Sequence, residues 1–429
     1  MKVGVVGGGI TGLACAYYLG RAGIEAVVFD PMPGGLIGSV EVEGCLLETG
    51  PESWLAAKPW AEKLIRDLGL GDEIVGSNDA TRRTFVLRNG RFAILPEGLQ
   101  MIAPTKVLPV LHTTLFSWRT KLRMGLELFH NPKTLPDRSV SAFVEDHFGR
   151  EAVDYLVEPL LAGVYGGSPD ELSAPGVLPK FVEYEQRVGS VVAGTLRDKR
   201  RTPGQPIFKS MRRGMGTLID ALREQVTIIP QKVDSIAPGW TIQAGGEFHH
   251  FDHVVLACRA AGLTRDLDPL LSELLAQVPY TGSSIWTFGF NRSDVKHKLD
   301  AFGFLIPKAE RQAIMACTWV GTKWPDRVPK DKAVFRCFST DPDAQREPVL
   351  QDLRRLMGMP QDGPEPIFEL VHRWPETMPQ YTVGHLARVA EIEVRKAEHS
   401  GLHLAGNAYR GIGIPDCILS ARKAAEECL

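Results

Sequence analysis

The sequence predicts an α/β fold around a parallel sheet, and three separated stretches predict it. Residues 2–30 read as strand, glycine turn, helix and strand. Residues 212–256 read as helix, strand, strand and a further buried strand. The stretch "GLHLAGNAYRGIGIPDCILSARKAAEECL" reads as strand, glycine-rich turn and helix. Alternating strands and helices build a parallel sheet with helices on its faces. At 429 residues the chain can form two or three domains, so other units are expected between these stretches.

The first stretch, "KVGVVGGGITGLACAYYLGRAG", carries Gly7, Gly9 and Gly12 in the pattern G-x-G-x-x-G. The first glycine allows a tight turn, the second lets backbone approach a pyrophosphate, and the third lets helix and strand pack closely. The helix start, at Ile10 and Thr11, offers free N–H groups to phosphates. The next strand, "EAVVFD", ends at Asp30, placed to accept from a ribose 2′-OH. The pattern therefore predicts a dinucleotide site. A glycine pair, Gly34 and Gly35, follows in "PMPGGLIGS", and Gly50 and Pro51 follow in "LETGPES". The middle stretch adds a third cofactor segment, with Val233 on its strand. In the last stretch the strand ends at Gly406, the turn runs from Asn407 to Gly413, and a helix starts at Ile414.

Composition narrows the function. Hydrophobic residues are 44% and charged residues 23%, an ordinary globular mix. A net charge of -2 gives no reason to expect a nucleic-acid partner. Seven cysteines lie scattered without a C-x-x-C pair, as reduced thiols do; no zinc site or disulfide framework is expected. The chain opens directly into a strand, so no export signal is expected, and no apolar run is long enough to span a bilayer. A cytoplasmic protein is the expectation.

Glycine pairs after the second strand are frequent in FAD-binding chains of this fold. Here the sequence resembles the flavin-containing amine oxidase and porphyrinogen oxidase superfamily. The blocks "ETGPESWLAAKPWAEKLIRDLGLGDEI", "NGRFAILPEGL", "SVSAFVEDHFGREAVDYLVEPLLAGVYGGSPDELS", "FGFLIP", "ACTWVGTKWPDRVP", "RWPETMPQYTVGHL" and "AYRGIGIPDC" occur in order. Together they resemble the bacterial oxygen-dependent porphyrinogen oxidases of heme biosynthesis. One departure is plain: the family's usual arginine before the glycine pair is replaced by Met32 and Pro33.

The resemblance implies FAD, O2 and a porphyrinogen that loses six hydrogens in three flavin cycles, with hydrogen peroxide released. It implies a Rossmann-like FAD domain, an inserted mixed-sheet substrate domain and a helical membrane-contact domain. The expected division is FAD domain 1–58, 210–265 and 385–429; substrate domain 59–96 and 266–384; helical domain 97–190; connection 191–209. It also implies that Gly411 and Gly413 bring N–H groups to the flavin, with a helix N-terminus aimed at its N1/O2 edge. Leu305, Thr318 and Phe338 match positions that line the macrocycle pocket. Gly163, Gly166 and Gly167 form a loop where backbone could lie against a flat ligand; a plain helix-ending loop is the equal alternative.

No catalytic side chain is expected, since the cofactor carries the hydride step. The eleven histidines are dispersed, and His112, His130 and His147 read as surface residues. Family members acting on protoporphyrinogen IX tend to carry an arginine on the strand before the Leu-Pro turn. That position is Thr84 here, with Arg83 one residue earlier and on the opposite strand face. This favours coproporphyrinogen III, with protoporphyrinogen IX also accepted.

Between Gly98 and Leu126 no acidic residue occurs, while Lys106, Arg119, Lys121 and Arg123 are basic. Leu115, Trp118, Leu122, Leu126 and Phe129 recur at helical spacing. Such a helix can lie in a membrane interface or pack on its own domain; the resemblance favours peripheral contact at the inner face of the cell membrane. A homodimer is left open. The rival functions are a flavin amine oxidase, which would need an aromatic cage and lack "MPQYTVGH", and a non-catalytic flavin electron carrier.

Overall fold

The computed structural model describes residues 1–198 and 206–429; the expected connection at 191–209 lies partly outside them. In chain order the elements that matter here are β1 Lys2–Val6, α1 Ile10–Arg21, β2 Glu25–Phe29, α2 Trp60–Asp67, β3 Thr84–Arg88, β4 Arg91–Ile94, α3 Trp118–Leu126, α4 Val140–Phe148, α5 Glu158–Tyr165, β5 Thr227–Ile229, β6 His253–Leu256, β7 Tyr280–Asn291, β8 Gly303–Leu305, β9 Ala316–Trp319, β10 Lys332–Ser339, α6 Arg346–Met357, β11 Phe368–Pro379, β12 Leu402–Leu404 and α7 Ile414–Glu427.

A five-stranded sheet in the order β5-β2-β1-β6-β12 is parallel throughout. Its strands come from three distant stretches, as the sequence predicts. Both faces are covered, which is why the strands are almost continuously apolar. On one face Leu13, Leu19, Leu64, Ile65, Leu218 and Ile418 form a core with α1, α2 and α7. On the other, Val27, Phe29, Ile236, Ile242, Val254 and Val389 form a second. Because Ala61, Leu64 and Ile65 join the first core, α2 packs with the parallel sheet. The chain enters the second sheet at Thr84.

That second sheet is mixed, in the order β11-β7-β10-β9-β8-β3-β4, with only β3 and β8 parallel. Its back is aromatic: Phe288, Phe304, Trp319 and Phe335 pack against Leu350 and Leu353 of α6. The helical region between 107 and 197 has its own core, including Phe143, Phe148, Leu156 and Leu161. Among the described residues no helix is long and apolar enough to cross a membrane.

Helix α3 does not pack its apolar stripe on its own domain. Thr120 and Met124 face inward, with Glu127 just beyond. Trp118, Leu122, Leu126 and Phe129 therefore point outward at 71%, 66%, 55% and 80% exposure. Leu115 precedes the helix and is buried. Val107 and Leu108 on an adjacent short helix are also exposed.

One surface reading fails. His147 is fully buried, its Nδ1 2.9 Å from Glu127 Oε1 and its Nε2 3.1 Å from Glu185 Oε1. Glu127 also accepts from Ser190 Oγ and from the Val191 and Val192 N–H groups. The signal was present: Val140, Phe143, Val144 and His147 share one face of α4, and that face is the buried one. His130 lies beside His147, ring centroids 5.0 Å apart and tilted, and is half-buried, while His112 is exposed.

Candidate active site

The cleft of the molecule that matters opens above the carboxyl ends of β1 and β12. It encloses about 300 Å³ and is lined by Gly9, Ile10, Thr11, Gly34, Gly35, Pro51, Gly406, Asn407 and Ile414, among others. Nine of the expected cofactor residues thus meet in one place, drawn from both ends of the chain.

The three motif glycines are glycines for three different reasons. Gly7 turns at φ +104°, where a side chain is strained. A Cβ on Gly12 would overlap the Gly7 carbonyl, so its absence lets α1 sit tightly on the turn. A Cβ on Gly9 would meet nothing within 4 Å, and neither would one on Gly406. Those two border empty space, which is the shape of a cradle for a ligand. Gly9 is also the N-cap of α1 with no side-chain cap, leaving the first N–H groups of the helix to an outside acceptor. The residues present therefore fit a pyrophosphate.

Asp30 is engaged within its own loop. Its Oδ2 accepts from Gly8 N at 2.6 Å and its Oδ1 from Met32 N at 2.8 Å. Each oxygen retains a lone pair for a ribose hydroxyl. The carboxylate thus shapes the turn as well as facing it. Val233 is buried beside Ala244 in a small antiparallel sheet and does not line the cleft.

The other end of the cleft is the start of α7. Gly413 is its N-cap, again without a side-chain cap, so the positive helix end is open toward the cleft. Asp416 in the first turn pairs with Lys58 at 2.6 Å. Gly411 does not offer its N–H to a ligand: it donates to Tyr381 Oη at 2.7 Å, and Tyr381 in turn donates to Asn407 O at 2.5 Å. Tyr381 buckles the turn shut. It was missed as a functional residue, although it lies in the quoted block "MPQYTVGH".

The second sheet reaches the cleft through Tyr280 of β7 and through Glu376 and Thr377 of β11. Cross-strand partners share a face. One row runs Thr84, Gly303, Thr318, Arg336, Thr287. The next runs Val86, Leu305, Ala316, Phe338, Ile285. Thr84, Leu305, Thr318 and Phe338, expected at the substrate, are neighbours on one face. Arg83 leaves that face and pairs with Asp300 at 3.3 Å, half exposed.

The expected glycine loop divides: Gly163 belongs to the last turns of α5 itself, and only Gly166 and Gly167 lie beyond its end. Gly163 is exposed, with open space where a Cβ would be. Gly166 caps α5 in the left-handed region, and its Cβ position lies against Met378 and Thr281. A Cβ on Gly167 would overlap the Gln380 side chain. The last two make room for β11 and its continuation, a use no local pattern reveals.

A cradle for a dinucleotide and a second open helix end meeting in one cleft define a flavoprotein oxidoreductase. The chain belongs to the family described as flavin containing amine oxidoreductase, which it matches over residues 10–429. It is similar to coproporphyrinogen III oxidase of Bacillus subtilis (strain 168), 32% identical over 99% of this chain and 97% of that protein. It is also similar to mitochondrial protoporphyrinogen oxidase of Nicotiana tabacum, 27% identical over 99% and 94%. A solved structure from Exiguobacterium sp. 255-15, provisionally named a protoporphyrinogen oxidase, superposes with TM-score 0.86 at 30% identity, covering 100% of this chain and 98% of that one.

Proposed function

We propose that this protein is an FAD-dependent oxidase that converts a porphyrinogen to the porphyrin, and that coproporphyrinogen III is its better substrate. The observation that carries the reading is full-length similarity at 32% to a relative named for that substrate. Three O2 take six hydrogens from the macrocycle and leave as three H2O2. FAD, when bound, supplies hydride acceptance. The chain's own residues hold the pyrophosphate at Gly9 and Ile10 and set an open helix end at Gly413. They also present Leu305, Thr318 and Phe338 to the flat face of the ring. Thr84, not a cation, stands on the substrate face, which supports weak discrimination between rings differing at two side chains.

The division into an FAD unit, a substrate unit and a helical unit is part of this proposal, with α2 assigned to the FAD unit. So are cytoplasmic residence and peripheral contact with the membrane through α3. Its exposed stripe is flanked by Arg119, Lys121 and Arg123, a form suited to an anionic lipid surface.

The test is anaerobic mixing of the yellow protein with each porphyrinogen. Flavin bleaching followed by porphyrin fluorescence on admitting air is expected with both, and kcat/KM should favour the copro form. Thr84→Arg should move preference toward the proto form. Preference of the wild type for protoporphyrinogen IX by about tenfold, some 1.4 kcal/mol, would overturn the substrate choice. No bleaching by either ring would overturn the reaction.

A further inference from the structure

We propose that Arg336 is a positioning residue that sets the spacing between the cofactor cleft and the sheet face that meets the substrate; the proposal rests on the porphyrinogen oxidase reading above. A buried arginine is out of place in the strand "KAVFRCFS". Its neighbours are apolar and it is 1% exposed. A buried cation persists only when its donors are matched. Here the two terminal nitrogens are matched by the other half of the molecule, while the buried Nε has no partner among the described residues. Arg336 Nη2 donates to Gly50 O at 2.7 Å and Nη1 to Glu52 Oε2 at 3.0 Å. Lys323, at the end of the short helix Val320–Lys323 that follows β9, holds the same Glu52.

The gripped segment is the one that brings Pro51 to the cleft. It is held twice more. A Cβ on Gly50 would overlap the Leu36 carbonyl, so the segment lies flush on the glycine-pair loop. Trp374 of β11 donates Nε1 to Thr49 O at 3.0 Å. Two residues of the second sheet therefore take the carbonyls of consecutive residues in the first unit. The Arg336 guanidinium also lies over the Phe338 ring, 5.1 Å from its centroid. One side chain thus touches both a wall of the cleft and a wall of the substrate face. The planar fork of arginine presents N–H groups to two acceptors at a fixed separation, whereas the donors of a lysine ammonium diverge from one nitrogen and impose no such separation. Face-to-face hydride transfer depends steeply on such spacing.

The experiment compares flavin-loaded wild type, Arg336→Lys and Trp374→Phe. Three quantities are read: visible circular dichroism of the bound flavin, KM separately from kcat, and the single-turnover bleaching rate with coproporphyrinogen III. Both variants should keep flavin, change its dichroism, hold KM within about threefold and slow bleaching by ~10- to 100-fold, most in Arg336→Lys. Unchanged bleaching in flavin-loaded variants would overturn the proposal. So would a loss that merely tracks flavin content. Trp374→Phe leaves no buried charge behind, so it decides by the same criteria if Arg336→Lys fails to fold. If wild type is not bleached by any porphyrinogen, the functional reading falls, and the dichroism still reports whether Arg336 sets the flavin's surroundings.

Discussion

A methyl group at Gly9 would stand in open space, whereas one at Gly12 would overlap a carbonyl of the protein itself. The two alanine variants should therefore fail differently. Gly9 has φ -72°, which alanine adopts freely, so Gly9→Ala should leave apoprotein stability unchanged and weaken FAD binding. Gly12→Ala should destabilise the apoprotein by about 1–3 kcal/mol through overpacking. Urea unfolding of the apoprotein and flavin titration check both, and the reverse pattern would refute the assignment. These roles were legible because the motif orders them by local geometry. Gly166 and Gly167 were not, because the atoms that exclude a side chain there belong to Met378 and Gln380, over two hundred residues later. Asp30 was half legible: its place was right, but its grip on Gly8 and Met32 needs the folded loop.

Helix α3 shows what periodicity can and cannot decide. The spacing of Trp118, Leu122, Leu126 and Phe129 defines a stripe, but not what covers it. The inward face is instead Thr120 and Met124, ending beside a buried Glu127 that caps another helix. With the stripe exposed, Trp118→Glu combined with Leu122→Glu should fold normally and keep its flavin. It should lose binding to vesicles containing anionic lipid, measured by co-sedimentation. Retained binding would remove α3 from the membrane reading. Unfolding would mean that the stripe is covered after all. Helix α4 teaches the converse: His147 sits in an apolar stripe, and the stripe, not the residue type, told its position.

At the scale of the whole molecule, carboxylates tie the units together. Burial alone would raise the Glu52 carboxyl, yet Lys323 and Arg336 beside it hold it down to about 2. Glu151 of the helical unit pairs with Arg88 of β3 at 2.6 Å. Its carboxyl is also held down to about 2: burial pushes it up, but hydrogen bonds from Thr120, Ser117 and Arg88 outweigh that. A carboxyl whose folded pKa is depressed stabilises the fold above its unfolded pKa and loses that contribution as pH falls through the folded one. Stability should therefore be level near neutrality and fall from about pH 4 toward pH 2, by on the order of 3 kcal/mol for Glu52 alone. Urea midpoints across pH check this, and Glu52→Gln should flatten part of the fall. A protein equally stable throughout would contradict it. The interleaved parallel sheet was legible because each piece carries its own strand–turn–helix signature. The face shared by Thr84, Leu305, Thr318 and Phe338 was legible only through resemblance, since register between strands is not written in any one of them. Arg336 had a local signal, a cation inside an apolar strand, but its acceptors lie far upstream.

Strand β12 and the turn at 406–413 complete both the edge of the parallel sheet and the wall of the cleft, and during synthesis they and α7 are made after every other element described. A nascent chain still on the ribosome, with those residues in the exit tunnel, has half a cradle and no open helix end at Gly413. On the proposed cofactor site, flavin loading should follow completion of the chain, and a yellow protein should be one translated past Ile414. A product cut short before Gly406 should be colourless, however well its remaining sheet is formed.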